Sequence, residues 1–207
     1  MRKSPDRPGD FIREARRLFA GQGYGITTID DIVSAVGVGK GTFYSYFTNK
    51  SDLLIRLLHQ SFAELATRMQ TSRRRAKDPE SQLAAAFRTH IEHFRSQPDL
   101  IRILEEVKIH FFDTINQLFV QTLEEEIHFL IKMITDRQKK KLWRKIHPTN
   151  LLLSMMLTTH ALLFKEVRFG QHITEREIRE LLDLFLHGLR LAPPPRPSRR
   201  PVKEIPS

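Results

Sequence analysis

The densest chemistry in this chain lies between positions 36 and 50, Val-Gly-Val-Gly-Lys-Gly-Thr-Phe-Tyr-Ser-Tyr-Phe-Thr-Asn-Lys. Read as a short helix over about 39–46, the stretch presents groups suited to a DNA groove. Lys40 supplies a charge for phosphate or guanine, Gly41 lets the backbone sit deep, and Thr42 can donate to a base or touch a thymine methyl. Tyr44, Ser45 and Tyr46 add hydroxyls that can bond phosphates. Phe43 and Phe47 are four apart and fall on the opposite face, where they would anchor the element to a core. Asn49 is placed to cap the next helix, and Lys50 at its positive end is placed for another phosphate. Phosphate contacts fix register, and Lys40, Gly41 and Thr42 would read bases.

The elements that must hold this helix precede it. Phe11, Ala15, Leu18 and Phe19 recur at helical spacing until Gly21-Gln22-Gly23, where Gly23 suits a left-handed terminus. Thr28 precedes Ile29-Asp30-Asp31-Ile32-Val33 and can cap it, with Asp31 reaching back as a shortened capping box. Gly37 makes the tight turn into the third helix, with Val38 pointing inward. Three helices in this order predict a helix-turn-helix reader.

The pattern Leu18-Phe19, Gly23-Tyr24, Thr27-Thr28, Ile29, Ile32, Gly37-Val38, Lys40-Gly41-Thr42, Tyr44, Phe47, Lys50 and Leu53-Leu54 resembles the amino-terminal domain of the TetR family of transcription regulators. The resemblance covers about a quarter of the chain. It implies a shared reader joined to a variable, ligand-binding helical domain, homodimerisation through a four-helix bundle, and repression released by an effector. Two positions depart from the family: Gly39 stands where a serine or threonine is usual, and Tyr46 where histidine is common. The resemblance and the residues together nominate Thr28, Gly39, Lys40, Gly41, Thr42, Tyr44, Ser45, Tyr46 and Lys50 as the DNA-binding set.

Composition agrees with this reading. The 207 residues carry 40% hydrophobic content and a formal charge of +10, which suits a polyanionic partner. Residues 1–60 hold nine Lys/Arg against six Asp/Glu, so the reader has only a small share of the excess. Arg73-Arg74-Arg75 and the run from Arg137 through Lys145 read as solvated surfaces. Arg2, Lys3 and Arg7 form a candidate basic arm for the minor groove. With no cysteine, disulfides and thiol chemistry are excluded. The amino terminus lacks an apolar segment, so a cytoplasmic location is expected.

Periodicity beyond Asn49 predicts a long helix through Leu53 to Met69, one from about Glu80 to Phe94, then 100–107, 113–138, 149–168 and 174–191. The fold class is all-α, with about nine helices: a reader over 1–50, a ligand-binding and dimerisation domain over 51–191, and a disordered Pro/Arg-rich tail over 192–207. The run Leu151 to Phe164 is apolar all round and must be buried. It is interrupted by Thr158, Thr159 and His160, which argues against a membrane span. A homodimer interface is expected there, completed by Ile178, Leu181, Leu182, Phe185, Leu186 and Leu189.

Phe62, Phe87, Phe94, Ile101, Leu104, Phe111, Phe112, Phe119 and Met155 are the candidate lining for a hydrophobic or amphipathic effector, with His110, Asn116 and His160 as candidate polar contacts. No cofactor is expected. The pair His90 and His93 has no His-Glu-x-x-His context and is expected to face solvent, so no metal site is assigned. Nucleophile elbow, P-loop and dinucleotide motifs are absent, which argues against an enzyme. The competing class is an architectural protein that coats DNA without sequence choice.

Overall fold

Among the described residues nine helices follow one another: α1 (Arg7–Gln22), α2 (Ile29–Val36), α3 (Lys40–Tyr44), α4 (Lys50–Arg75), α5 (Pro79–Arg95), α6 (Pro98–Thr122), α7 (Glu124–Lys139), α8 (Pro148–Phe169) and α9 (Glu175–Leu189). The computed structural model describes residues 7–189, and no strand occurs among them. The basic arm at Arg2 and Lys3 and the 192–207 tail lie outside the described residues.

Local chemistry sets the helix ends. Asp78 accepts the Ser81 N–H at 2.9 Å, and Pro79 occupies the first turn of α5, where a missing N–H costs nothing. Gly170, at φ +65°, closes α8. At the start of α9, Thr174 and Glu177 exchange main-chain N–H bonds at 2.8 and 3.2 Å. The Thr174 N–H, the Lys165 ammonium and the Thr174 hydroxyl hold the Glu177 carboxyl down at about 2.

Two expected boundaries are corrected. The gap placed at 108–112 is only a kink inside α6, at Phe111 (φ −122°, ψ 21°). The true break falls at Leu123, whose buried side chain anchors the corner while Glu124, Glu125 and Glu126 place negative charge in the first turn of α7. Asp113, which suggested a helix start, lies within the continuing helix.

The core of the second domain is built around α5, which packs along α4 and is flanked by α6, α8 and α9. This position corrects the reading of His90 and His93, both of which are buried. His93 contacts Ser61 Oγ at 3.0 Å and the Gln97 side chain at 3.1 Å. The basic clusters are also less uniform than expected. Arg73 donates two bonds to the buried Glu126 at 3.0 and 2.8 Å and lies 3.7 Å over the Phe129 ring, tying α4 to α7. Within the 137–145 run, Trp143 is 2% exposed, and the Arg144 N–H donates to the Leu189 carbonyl at 2.7 Å.

α8 divides into two faces. Leu151, Met155, Thr159 and Leu163 are buried, whereas Leu153, Leu157 and Phe164 on the other face are exposed. On α9 the expected partner-facing stripe turns partly inward. Ile178, Leu182 and Leu189 are buried within the chain, and Phe185 meets Phe87 at 5.7 Å between ring centroids. The reason is that α9 packs against α5 within the same chain; Leu184 is left outside.

Candidate nucleic-acid interface

α3 is five residues long, too short to be stable on its own. It is held by aromatic packing from behind. Phe43 and Phe47 are buried, and their rings meet Phe11 of α1 edge-on at 5.6 and 5.7 Å and each other at 5.5 Å. Each such pair is worth about 0.5–1.5 kcal/mol beyond its burial.

The entry to α3 is set by two earlier turns. Gly23, at φ +98°, ends α1, and the Thr27 hydroxyl donates to the Gly23 carbonyl at 2.7 Å. Thr28 and Asp31 then form the expected capping box: the Asp31 N–H donates to Thr28 Oγ1 at 3.1 Å and the Thr28 N–H to Asp31 Oδ2 at 2.8 Å. These bonds from Thr28 hold the Asp31 carboxyl below its usual range. Gly37, at φ +75°, caps α2, and the Val38 N–H returns to the Val33 carbonyl at 3.0 Å.

The opposite face of α3 is open. Tyr44 is 55% and Tyr46 37% exposed, Tyr46 leaning on Phe11. Gly39, Lys40, Gly41 and Ser45 are exposed and Thr42 is half-buried. Ser45 Oγ donates to the Thr42 carbonyl at 2.7 Å. A Cβ built at Gly39 or Gly41 meets nothing within 4 Å, so no neighbour in the chain demands glycine at either position. The Lys40 ammonium rests on Asp30 at 2.9 Å, which raises its pKa; both groups are well exposed and the bridge is of the weak, exchangeable kind.

Two further nominated residues are engaged within the chain as well. The Thr28 hydroxyl is engaged with Asp31. Lys50 points away from solvent: its ammonium donates to the Tyr24 and Thr27 carbonyls, both at 2.7 Å, and lies 4.3 Å over the Tyr24 ring. Burial pushes its pKa down, and the Glu106 charge opposes that shift. Lys50 therefore straps α4 to the loop that follows α1.

That loop is also where the second domain grips the reader. Glu106 of α6 accepts the N–H groups of Tyr24 and Gly25, each at 2.9 Å. Arg16 of α1 pairs in bidentate fashion with Asp99 of α6, its NH2 nitrogen at 2.8 Å. Tyr24 packs edge-on against Phe111 at 5.7 Å, at the kink of α6. Tyr24, Asp99 and Glu106 thus tie α1 and the loop after it to α6, contacts that the sequence reading did not foresee. Their partners are about 80 residues apart in sequence, and no periodicity reports such contacts.

The candidate effector lining is only partly assembled. Phe62 meets Phe119 at 5.2 Å, and Phe94, His90 and His160 cluster with centroids 5.1 to 5.7 Å apart. Ile101, Met155 and Phe87 are buried and Leu104 is half-buried. Phe112 lies outside the group at 64% exposure, and Phe111 turns to Tyr24. His110 and Asn116 are exposed. Nε2 of His90 and of His160 are both buried without a hydrogen-bond partner among the described residues. Burial, together with the neighbouring His160 and His93, pushes His90 down to about 3.

Residues 11–57, which span α1 to the first turns of α4, match the model of bacterial regulatory proteins of the tetR family. This amino-terminal segment thus carries the signature of that family. Two uncharacterised HTH-type transcriptional regulators of Bacillus subtilis are similar to this chain: YuxN, 24% identical over 63% of this chain and 45% of its own length, and YerO, 30% identical over 49% and 39%. The chain thus spans less than half the length of these relatives. The whole TetR-like fold is shared with FadR from Bacillus subtilis, solved in complex with stearoyl-CoA, at a TM-score of 0.74 and 21% identity over 87% of this chain and 98% of that one.

Proposed function

We propose that this protein is a TetR-family, sequence-specific transcription repressor that binds a near-palindromic operator as a homodimer and is released by a hydrophobic small-molecule effector. The observation that carries the reading is the two-faced α3, whose aromatic rear is locked to Phe11 while its front is exposed, with open space at Gly39 and Gly41 and Lys40 held only by an exchangeable bridge to Asp30. Thr42, Lys40 and the bare Gly41 read bases, and Tyr44, Ser45 and Tyr46 contact phosphates.

Dimerisation supplies the geometry. Leu157 and Phe169 are 62% and 64% exposed on α8, as is Leu184 at 66% on α9. A second copy covers them in a four-helix bundle. Two readers related by a two-fold axis then enter successive major grooves about 34 Å apart. No helix among the described residues is long and apolar enough to cross a membrane, and the protein works in the cytoplasm beside its DNA. The aromatic group around Phe62, Phe94 and Phe119 receives the effector. An acyl thioester or a flat apolar compound suits it, and stearoyl-CoA in FadR supports the first. Movement of α6 reaches the reader through Asp99, Glu106 and Phe111. A coupling of roughly 1–3 kcal/mol weakens operator affinity 5- to 150-fold.

The test is to incubate the protein with fragmented DNA from its own organism, with competitor at moderate salt, and to sequence what stays bound. Recovery of an inverted repeat supports the repressor, and Thr42→Ala then relaxes base preference while Tyr44→Phe weakens all sequences alike. Recovery without enrichment points instead to an architectural, sequence-indifferent protein.

A further inference from the structure

α1 and α6 line an open cleft of about 430 Å³ where the two helices meet, and no residue of α3 contributes to its lining. Arg13, Arg16 and Arg17 enter it from one face of α1, at i, i+3 and i+4, and Arg102 enters from α6, three residues beyond Asp99. Four guanidinium groups against one carboxylate in the lining is a cationic wall.

The four are not equivalent. Arg16 is fixed by its bidentate pair with Asp99. Arg13 bridges Asp10 at 3.0 Å and Glu14 at 3.5 Å, and Arg17 bridges the same Glu14 at 2.9 Å, with both guanidinium groups well exposed, so these contacts are exchanged at little cost. Arg102 is exposed and has no partner among the described residues. Three guanidinium forks are therefore available around one fixed cation. The floor between them is Ala20 and Gly21, where an added Cβ would meet nothing within 4 Å.

We infer that this cleft is a binding site for a small phosphorylated metabolite bearing two or more linked phosphates, such as the pyrophosphate portion of a nucleotide. The planar guanidinium fork matches phosphate oxygens two at a time, which an ammonium cannot do. Asp10 and Glu14 oppose a singly charged anion, so only a ligand that engages Arg13, Arg17 and Arg102 together gains enough to displace both carboxylates. Because its walls come from α1 and α6, an occupied cleft holds the reader and the second domain in the relation seen here. The site is separate from the apolar interior proposed for the effector, and its occupancy does not rest on that reading.

The experiment is titration of the full chain, without DNA, with inorganic pyrophosphate and with tripolyphosphate at constant ionic strength, followed by calorimetry and thermal unfolding. Saturable binding at one site per chain is expected, with a rise in Tm that follows ligand concentration. Arg102→Ala and Arg17→Ala each weaken it about tenfold, the scale of one lost charge-assisted contact, while Arg74→Ala, outside the cleft, leaves it unchanged. Helical content by circular dichroism identifies any variant that fails to fold, and the titration of the natural chain stands without them. Absence of saturation beyond the salt control overturns the inference, as does equal loss in all three variants. Failure to bind pyrophosphate combined with weakened duplex binding by Arg102→Ala assigns the arginines to DNA backbone and also overturns it.

Discussion

The Glu106 carboxylate on α6 accepts the main-chain N–H of Tyr24, at 2.9 Å, in the loop that launches the reader's second helix, and its other oxygen accepts the N–H of Gly25. One side chain thus satisfies two donors that belong to no helix, across the boundary between the domains. In the Glu106→Gln variant only one of the two donors can be satisfied by an oxygen. Because the contact is solvent-exposed the cost is modest, about 1 kcal/mol in urea unfolding. Hydrogen exchange is the sharper readout. The amides of Tyr24 and Gly25 should exchange faster while those of α8 are unaffected; unchanged protection in the loop would refute the clamp.

Lys50 makes a second strap from the same loop, and its removal should act on stability rather than on DNA. Lys50→Met deprives the Tyr24 and Thr27 carbonyls of a charged donor, for an expected loss of about 2 kcal/mol. Measured in the cold, where the variant remains folded, affinity for random duplex should match that of the natural chain. A drop in affinity without a drop in stability would return Lys50 to the phosphate-binding set.

The reader was legible in the sequence because its signals are local. Thr28 and Asp31 are three apart, Phe43 and Phe47 four, and Gly23 and Gly37 carry the positive φ that their neighbours suggested. Lys50 marks the limit of that local logic, since a lysine at a helix start suits a phosphate, and only the fold brings the Tyr24 and Thr27 carbonyls to its ammonium. In the second domain, hydropathy indicated buried faces but not what covers them. The α9 stripe suits either a partner helix or α5 of its own chain, and the packing of Ile178, Leu182 and Phe185 shows the second. His90 and His93 looked amphipathic because imidazole counts as polar, whereas a neutral imidazole is readily buried.

Gly39 offers a clean test of the reader's local chemistry. It caps α3 with φ −83° and ψ 160°, an ordinary conformation for any residue, and it has open space where a side chain would go. Gly39→Ser should therefore fold normally and gain a few tenths of a kcal/mol from the new cap. The hydroxyl also adds a phosphate donor, so affinity for all duplexes should rise slightly. Gly37→Ala is the contrast: at φ +75° the added Cβ is strained, and thermal unfolding should show a loss of about 1–2 kcal/mol.

The buried histidines make stability depend on pH in a window that the carboxylates do not reach. Burial, reinforced by His160 and His93, pushes His90 down to about 3; burial, reinforced by Arg68 and Arg16, pushes His93 down to about 4. Both lie below the value of about 6.5 in the unfolded chain, so the unfolded state binds more protons as pH falls. Their contribution is fully present above about pH 6.5 and is lost progressively as pH drops toward 4 and then 3. The slope is at most about 1.4 kcal/mol per pH unit for each group. Asp31, Asp52, Asp78 and Glu177, whose pKa values are all lowered, act only further down. Tm should therefore begin to fall between pH 6.5 and 5. His160, which burial also pushes down, is a third such group; His90→Leu removes an unpartnered buried nitrogen and one of the three titrating groups, and should flatten that limb by about a third, whereas an unaltered slope would place the titration elsewhere.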